Sequence, residues 1–434
     1  MAVLTVTGTP VAGTKYTVTT ASSADWASVS NSTYFFDLTD QLVHYKDSTG
    51  AIIELFGAAG GLTYFTEAQN TTAPNATVPV DSLTAVTGTT NGDFAILPKG
   101  SGAILSAIPD STATGGNKRG TYALDLQMAR LSSGCVASGN YSVTLGYNNT
   151  SSGIASFSVG YNNISSGLYS VTLGTRSYAS GIGSLAGACA NLGSNSATND
   201  GSVALGGYNS TASGTYSIAL SGGTSSGSNS FSVQGTASGN NSIALGSSTA
   251  SAQNTNSIAL GDLVTASGAY SMATMWMAET FSHRSRMSYG TYITLNGSPS
   301  STTRGEVQGS TLVVGVDTNS VTPASLRNYN GLAIALILQN NNSIRFKGTI
   351  VARQTATTNT SAWDIDGFIQ RGTTAATTTL LISNVNVVQN TPAWVTPTLT
   401  ADTVNGGLDI KVTGVVTNLI KWSCVLTTTE VILA

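Results

Sequence analysis

The chain has 434 residues, of which 9% are charged and 48 are glycine, with a formal net charge of -3. This length allows roughly two to four domains, and the absence of a Lys/Arg cluster removes the electrostatic footprint of a nucleic-acid binder. Cys135, Cys189 and Cys424 are odd in number, far apart and without metal spacing, which argues against a disulfide framework or a zinc site. They read as small buried apolar residues. The N-terminus, Met-Ala-Val-Leu-Thr, shows no basic n-region, apolar h-region or cleavage site, so synthesis in a cytoplasm is expected. The longest apolar stretch, 332–338, is far short of the roughly 18 residues that span a bilayer, and no membrane insertion is expected.

In chain order, residues 42–46 and 51–55 are β-prone runs either side of Asp-Ser-Thr-Gly, a turn tetrad, and predict a hairpin within region 1–60. Region 61–130 is rich in Gly, Thr, Ala and Asn with few large apolar side chains, and reads as an extended connector or thin shaft. From 131 to 274 the only charged residues are Arg176, Asp200 and Asp262, and the sequence repeats. Tyr-Ser-Val-Thr-Leu-Gly at 141–146 returns as Ser-Phe-Ser-Val-Gly at 156–160 and Tyr-Ser-Val-Thr-Leu-Gly at 169–174, a 14-residue period. A second mark, Ser-Gly, falls at Gly139, Gly153, Gly167 and Gly181.

Each repeat therefore predicts strand, turn, short strand, turn. In Ser-Val-Ala-Leu-Gly the Val and Leu are two apart and share a face; the expectation is that they point into the coil and the small residue between them points out. Coils stacked about 4.8 Å apart would share a continuous core, and about ten of them give a shaft of roughly 45 to 50 Å. Glycine at the corners avoids a clashing Cβ. One such coil is too thin to be stable alone, so lateral association of chains is expected, with threefold packing the simplest closed solution.

The pattern Asn-Ser-Ile-Ala-Leu-Gly at 241–246 and 256–261, with Thr-Ala-Ser-Gly at 211–214 and 265–268, resembles the head repeats of trimeric autotransporter (YadA-like) adhesins. The resemblance covers about a third of the chain and implies a trimeric left-handed parallel β-roll. No signal sequence, coiled-coil stalk or anchor barrel such as those adhesins carry is expected. Residues 93–103, 115–127, 346–353, 362–363 and 401–408 instead resemble segments of tailed-bacteriophage tail fibres. That likeness implies a virion fibre, a homotrimer bound to tail, baseplate or adaptor proteins at one end and to a host polysaccharide or outer-membrane receptor at the other, with region 1–60 read as the virion attachment.

After 275 the repeat decays into a neck, 275–304. From 305 to 434, runs at 311–316, 332–338, 344–353, 362–371, 379–388, 408–412, 412–416 and 419–425 alternate with Asn/Gly/Thr turns and predict a β-sandwich or jelly roll. The chain as a whole is thus expected to be all-β.

Chemistry is sparse. His44 and His283, the only histidines, lack a Ser or Cys partner motif, so no catalytic triad, metal or cofactor is expected. Asp364 and Asp366 share a strand face; that pair would suit glycoside hydrolysis, or simply a solvated surface. Trp363 and Trp394 lie near Asp364, Asn384, Asn386 and Asn390, and an aromatic face bordered by amides and carboxylates is a sugar platform. The alternative places both rings in the sandwich core, as expected of Trp422. The leading reading is a non-enzymatic adhesin with Trp363, Asp364, Asn390 and Trp394 as candidate binding residues. A polysaccharide-cleaving tailspike and a purely structural capsid or tail fibre are its rivals.

Overall fold

The computed structural model describes residues 19–21, 23–37, 39, 43–54, 65–72, 77, 80–85, 95–187, 193–291, 294–295, 298–299, 306–328 and 334–433. The chain divides into two compact units, Met1–Leu97 and Pro98–Ala434. In the first, Val43–Lys46 and Ile52–Glu54 form the predicted hairpin, and Thr33–Asp37 pairs with its other edge. Asp47 closes the turn by accepting from the amides of Thr49 and Ala51 at 2.8 and 2.9 Å. Leu42 and Leu55 fall outside the described residues. Lys46 Nζ donates to the carbonyls of Trp26 and Val29, at 3.1 and 2.9 Å, pinning the short helical turn Ser23–Ser28 over the sheet. A second hairpin, Phe65–Asn70 with Val80–Ala85, lies in the stretch read as connector.

The second unit begins with the expected solenoid, of about 11 turns. A broad parallel ladder carries Val143–Tyr147, Phe157–Tyr161 and Val171–Thr175 in register, so that Val143, Phe157 and Val171 are direct neighbours. A narrow nine-stranded ladder, from Thr150–Ser151 to Thr265–Ala266, forms the opposite wall. The broad ladder is longer than the sequence repeat. Ile104–Leu105 and Leu124–Ala129 join it before residue 131, and Arg286–Gly290, within the predicted neck, adds a rung after Met272–Trp276.

One expectation is inverted. The small residue of each repeat faces into the coil: Thr144, Ser158, Thr172, Ala186, Ala204, Ala219, Ala244 and Ala259 are all fully buried. Ala179, Ala197, Ala212 and Ala237 meet them from the narrow ladder. Val171, Val203 and Leu205, expected inside, lie on the outer face and are only half-buried. The reason is volume. A coil this short brings its two walls so close that only Ala, Ser and Thr fit between them, and the larger side chains take the other pleat.

The corners explain the remaining repeat letters. A Cβ on Gly153 would sit 1.9 Å from the carbonyl oxygen of Gly167 in the next coil, so glycine is required by close stacking. The buried serine three residues on closes the turn: Ser156 Oγ donates to the Gly153 carbonyl at 2.8 Å, and Ser170 and Ser184 do the same to Gly167 and Gly181. Inside the N-terminal coils, Asn149 Nδ2 donates to the carbonyls of Leu145 and Gly160 at 2.7 Å each, while its Oδ1 accepts the amide of Asn163. This satisfies backbone groups that a thin core cannot leave unpaired.

Both ends of the roll are closed by buried ionic clusters. At the first coils Asp125 accepts from Arg119 at 2.6 Å and Arg130 at 3.2 Å, and both guanidiniums also donate to loop carbonyls at Gly115 and Thr114. At the last rung Arg286 pairs with Glu430, and donates to Ser310 Oγ at 3.0 and 2.8 Å. Terminal coils of a solenoid expose open core, and such caps cover it.

The same sheet continues into the C-terminal sandwich. Arg286–Gly290 pairs antiparallel with Val307–Thr318, followed by Ile420–Ile432, Asn342–Gln354, Thr360–Arg371 and Thr379–Thr391. Gly407–Thr413, Thr398–Asp402, Pro323–Ser325 and Leu336–Ile337 make a smaller sheet. Leu312, Ile344, Phe346, Ile350 and Leu426 of the large sheet meet Leu336, Leu408 and Ile410 of the small one, and Leu326 just after its strand Pro323–Ser325, in a common core. The predicted sandwich is therefore present, and it shares its large sheet with the shaft. No helix among the described residues is long and apolar enough to cross a membrane.

Candidate functional site

The four candidate residues separate into two sets. Trp363 is fully buried, its ring stacked on Trp422 at 5.6 Å, and Trp394 is 7% exposed and 5.9 Å from Trp422. These rings are core, which corrects the sugar-platform expectation: a stacking platform needs a solvent-facing ring. Asn390 is engaged in holding Trp394, accepting its amide and donating to its carbonyl, each at 2.9 Å. Asp364 alone is exposed. Alternation along the strand dictates this outcome, because an outward Asp364 requires an inward Trp363.

Around Asp364 the outward face of the large sheet forms an open cleft of about 510 Å³ lined by Lys347, Thr349, Asp364, Asp366, Val425 and Thr427. Its order follows from strand register. Lys347 lies beside Asp366 and Asp366 beside Asn384, while Thr349 lies beside Asp364 and Asp364 beside Asn386. Thr349 Oγ1 donates to Asp364 at 2.7 Å, and Arg345 pairs with Asp366. The hydrogen bond from Arg345 holds the Asp366 carboxyl below its ordinary range. The cleft is thus a row of fixed acceptors and donors, with an ionised carboxylate beside cations. Lys347 and Thr349 gain significance only through cross-strand pairing, while Asn384 and Asn386, already notable in the sequence, are brought beside Asp366 and Asp364 by the same register.

The remaining titratable groups serve structure. His283 is buried against the last coil, donating from Nδ1 to the Thr280 carbonyl at 3.2 Å and accepting the Ile337 amide at Nε2 at 3.0 Å in the tautomer these neighbours select. Burial, reinforced by the Arg286 charge, pushes its pKa down to about 4, so it is neutral at physiological pH. Cys424 is buried and its thiol is pushed up to about 12 by burial. Cys135 is half-buried beside Ser132, against the expectation of full burial, and Cys189 lies outside the described residues. Among the described residues no cluster of His, Cys, Asp or Glu is arranged to hold a metal ion.

The shaft that carries this cleft matches a known family. The model of the YadA head domain repeat matches residues 137–163, 197–220, 236–249 and 252–274. Over these residues the shaft is similar to YadA head repeats. The match falls within the two ladders, and its small central residues are the ones that fill the coil. YadA head repeats suggest an adhesin role, and YadA-like adhesins form homotrimers, with which the half-buried outward columns are consistent. No curated protein matches the chain.

Proposed function

We propose that the protein is a non-enzymatic, homotrimeric adhesin fibre of a tailed-phage virion that binds host-surface glycans in the cleft around Asp364. The observation that carries the glycan reading is the cleft itself: fixed carboxylates, Lys347 and Thr349 line it, and Asn384 and Asn386 stand beside those carboxylates on the next strand of a sheet hydrogen-bonded to the end of the shaft. Such alternation of donors and acceptors suits a polyol, and three copies on one fibre strengthen weak binding through effective concentration. The family's adhesin role supports attachment, and the tail-fibre likeness of the flanking segments supports the virion. The non-enzymatic reading is supported by Asp366, whose carboxyl is lowered by Arg345; the general acid of a glycosidase needs a raised one.

The test is binding of the full chain to an array of bacterial surface polysaccharides and to the cells that carry them. Asp364→Ala and Lys347→Ala should lose binding while keeping the melting profile. Unchanged binding by both variants refutes the site. Shortening of the polysaccharide during incubation establishes the depolymerase reading instead.

A further inference from the structure

Building on the homotrimer reading, we propose where contact between copies ends: it follows the outward apolar columns of the roll to a collar of Met272, Met275, Trp276, Met287 and Tyr289, and leaves the outward face of the sandwich uncovered.

The outward face of the broad ladder presents two columns without charge, one through Val143, Phe157, Val171 and Ile258, the other through Leu145, Val159, Leu173 and Leu260. These side chains are half-buried or exposed in the single chain. Their period is the coil spacing, about 4.8 Å. Only a surface of the same period matches such a face along its whole length, and a second copy of this chain has one.

At the last rungs the character of the face intensifies. Met275 is 63% exposed, Met287 46%, Tyr289 41% and Trp276 36%. Met275, Trp276, Gly290 and Thr291 line an apolar concavity of about 380 Å³. Met275 has a φ of +76°, at a corner where the two preceding register positions are Gly246 and Gly261. Methionine adapts well to an apolar partner.

Beyond the collar the sheet does not break and keeps exposed valines such as Val313 and Val425, but the row in line with Met287 turns polar and then charged. From Met287 the row continues through Thr311 and Thr427 to Lys347 and Asp366. Placing Lys347, Asp364 and Asp366 against a second copy would desolvate their charges. The copies therefore part at the collar, and the glycan cleft stays open to solvent.

The test labels one introduced cysteine at a time in the full chain, with Cys135 and Cys189 replaced by serine and the buried Cys424 left in place, using a bulky maleimide on the native assembly. Leu205→Cys and Met275→Cys should remain unlabelled, whereas Thr427→Cys and Asn384→Cys should label fully. Sedimentation gives the oligomeric state of each sample independently. A monomer overturns the homotrimer reading and this inference with it; a trimer in which Met275→Cys labels, or in which Thr427→Cys is protected, overturns the inference alone. Hydroxyl-radical oxidation of the unsubstituted protein reads the same surface without a mutation. Met275 should oxidise as slowly as Met277, which is 5% exposed within its own chain, and faster oxidation of Met275 speaks against the collar.

Discussion

Replacing Arg286 with Met should destabilise the junction of shaft and sandwich strongly, and in a pH-dependent way. Glu430 is fully buried and held by Arg286, by Thr428 Oγ1 at 2.5 Å and by Gln308 Nε2 at 3.3 Å. Burial raises its pKa, but the Arg286 charge and these hydrogen bonds outweigh burial and leave it below its ordinary value. Its folded pKa being depressed, the group contributes stability above the unfolded pKa and loses it as pH falls through the folded one. Removing the guanidinium leaves a buried carboxylate with only neutral donors, at a cost of about 3–5 kcal/mol near pH 7. The carboxyl pKa then moves above the unfolded value, and the sign reverses: the variant gains stability on acidification, as the buried group takes up a proton. The loss relative to the parent should therefore be large at pH 7 and small near pH 4. Arg286→Met combined with Glu430→Gln should recover most of it, because no charge remains to desolvate. Denaturant unfolding of the three proteins at both pH values reads this directly. A loss independent of pH, or a double variant equal to the sum of two large single losses, refutes the account.

Val171→Asp should leave the fold of a single coil intact, since that side chain points outward, and abolish lateral assembly; sedimentation and circular dichroism together separate the two effects. Gly153→Ala should disrupt stacking locally, because its Cβ would meet the Gly167 carbonyl at 1.9 Å, and hydrogen exchange should accelerate in the neighbouring coils. Ala219→Leu, an overpacking of the coil interior, should cost about 1–3 kcal/mol or more and lower the melting temperature, whereas Ile218→Leu beside it should change stability little. Asn390→Ala should destabilise the Trp394 turn by about 1 kcal/mol without a specific effect on glycan binding; selective loss of binding at an unchanged melting temperature would return Asn390 to the site.

The sequence by itself determined the all-β class, the solenoid, its period and its corners, because repetition repeats the same local geometry and each Ser-Gly marks a turn of fixed shape. It also determined that a sandwich follows and that Trp422 belongs to its core. It did not determine which face of the repeat strand is inside. Period-2 alternation identifies two faces but not their direction, and the answer came from the space between the two ladders, where Ala204 and Ala219 fit and Val203 and Leu205 do not. The same ambiguity decided the site. Adjacent Trp363 and Asp364 had to face opposite ways, and only the small sheet packed over Trp363 fixed which one met solvent. The cleft needs Lys347, Asp366 and Asn384 side by side on three strands, a neighbourhood created by register between segments far apart in sequence. The shaft's continuation into the sandwich was hidden for a related reason, since Arg286 and Glu430 are 144 residues apart and only tertiary structure brings their charges together.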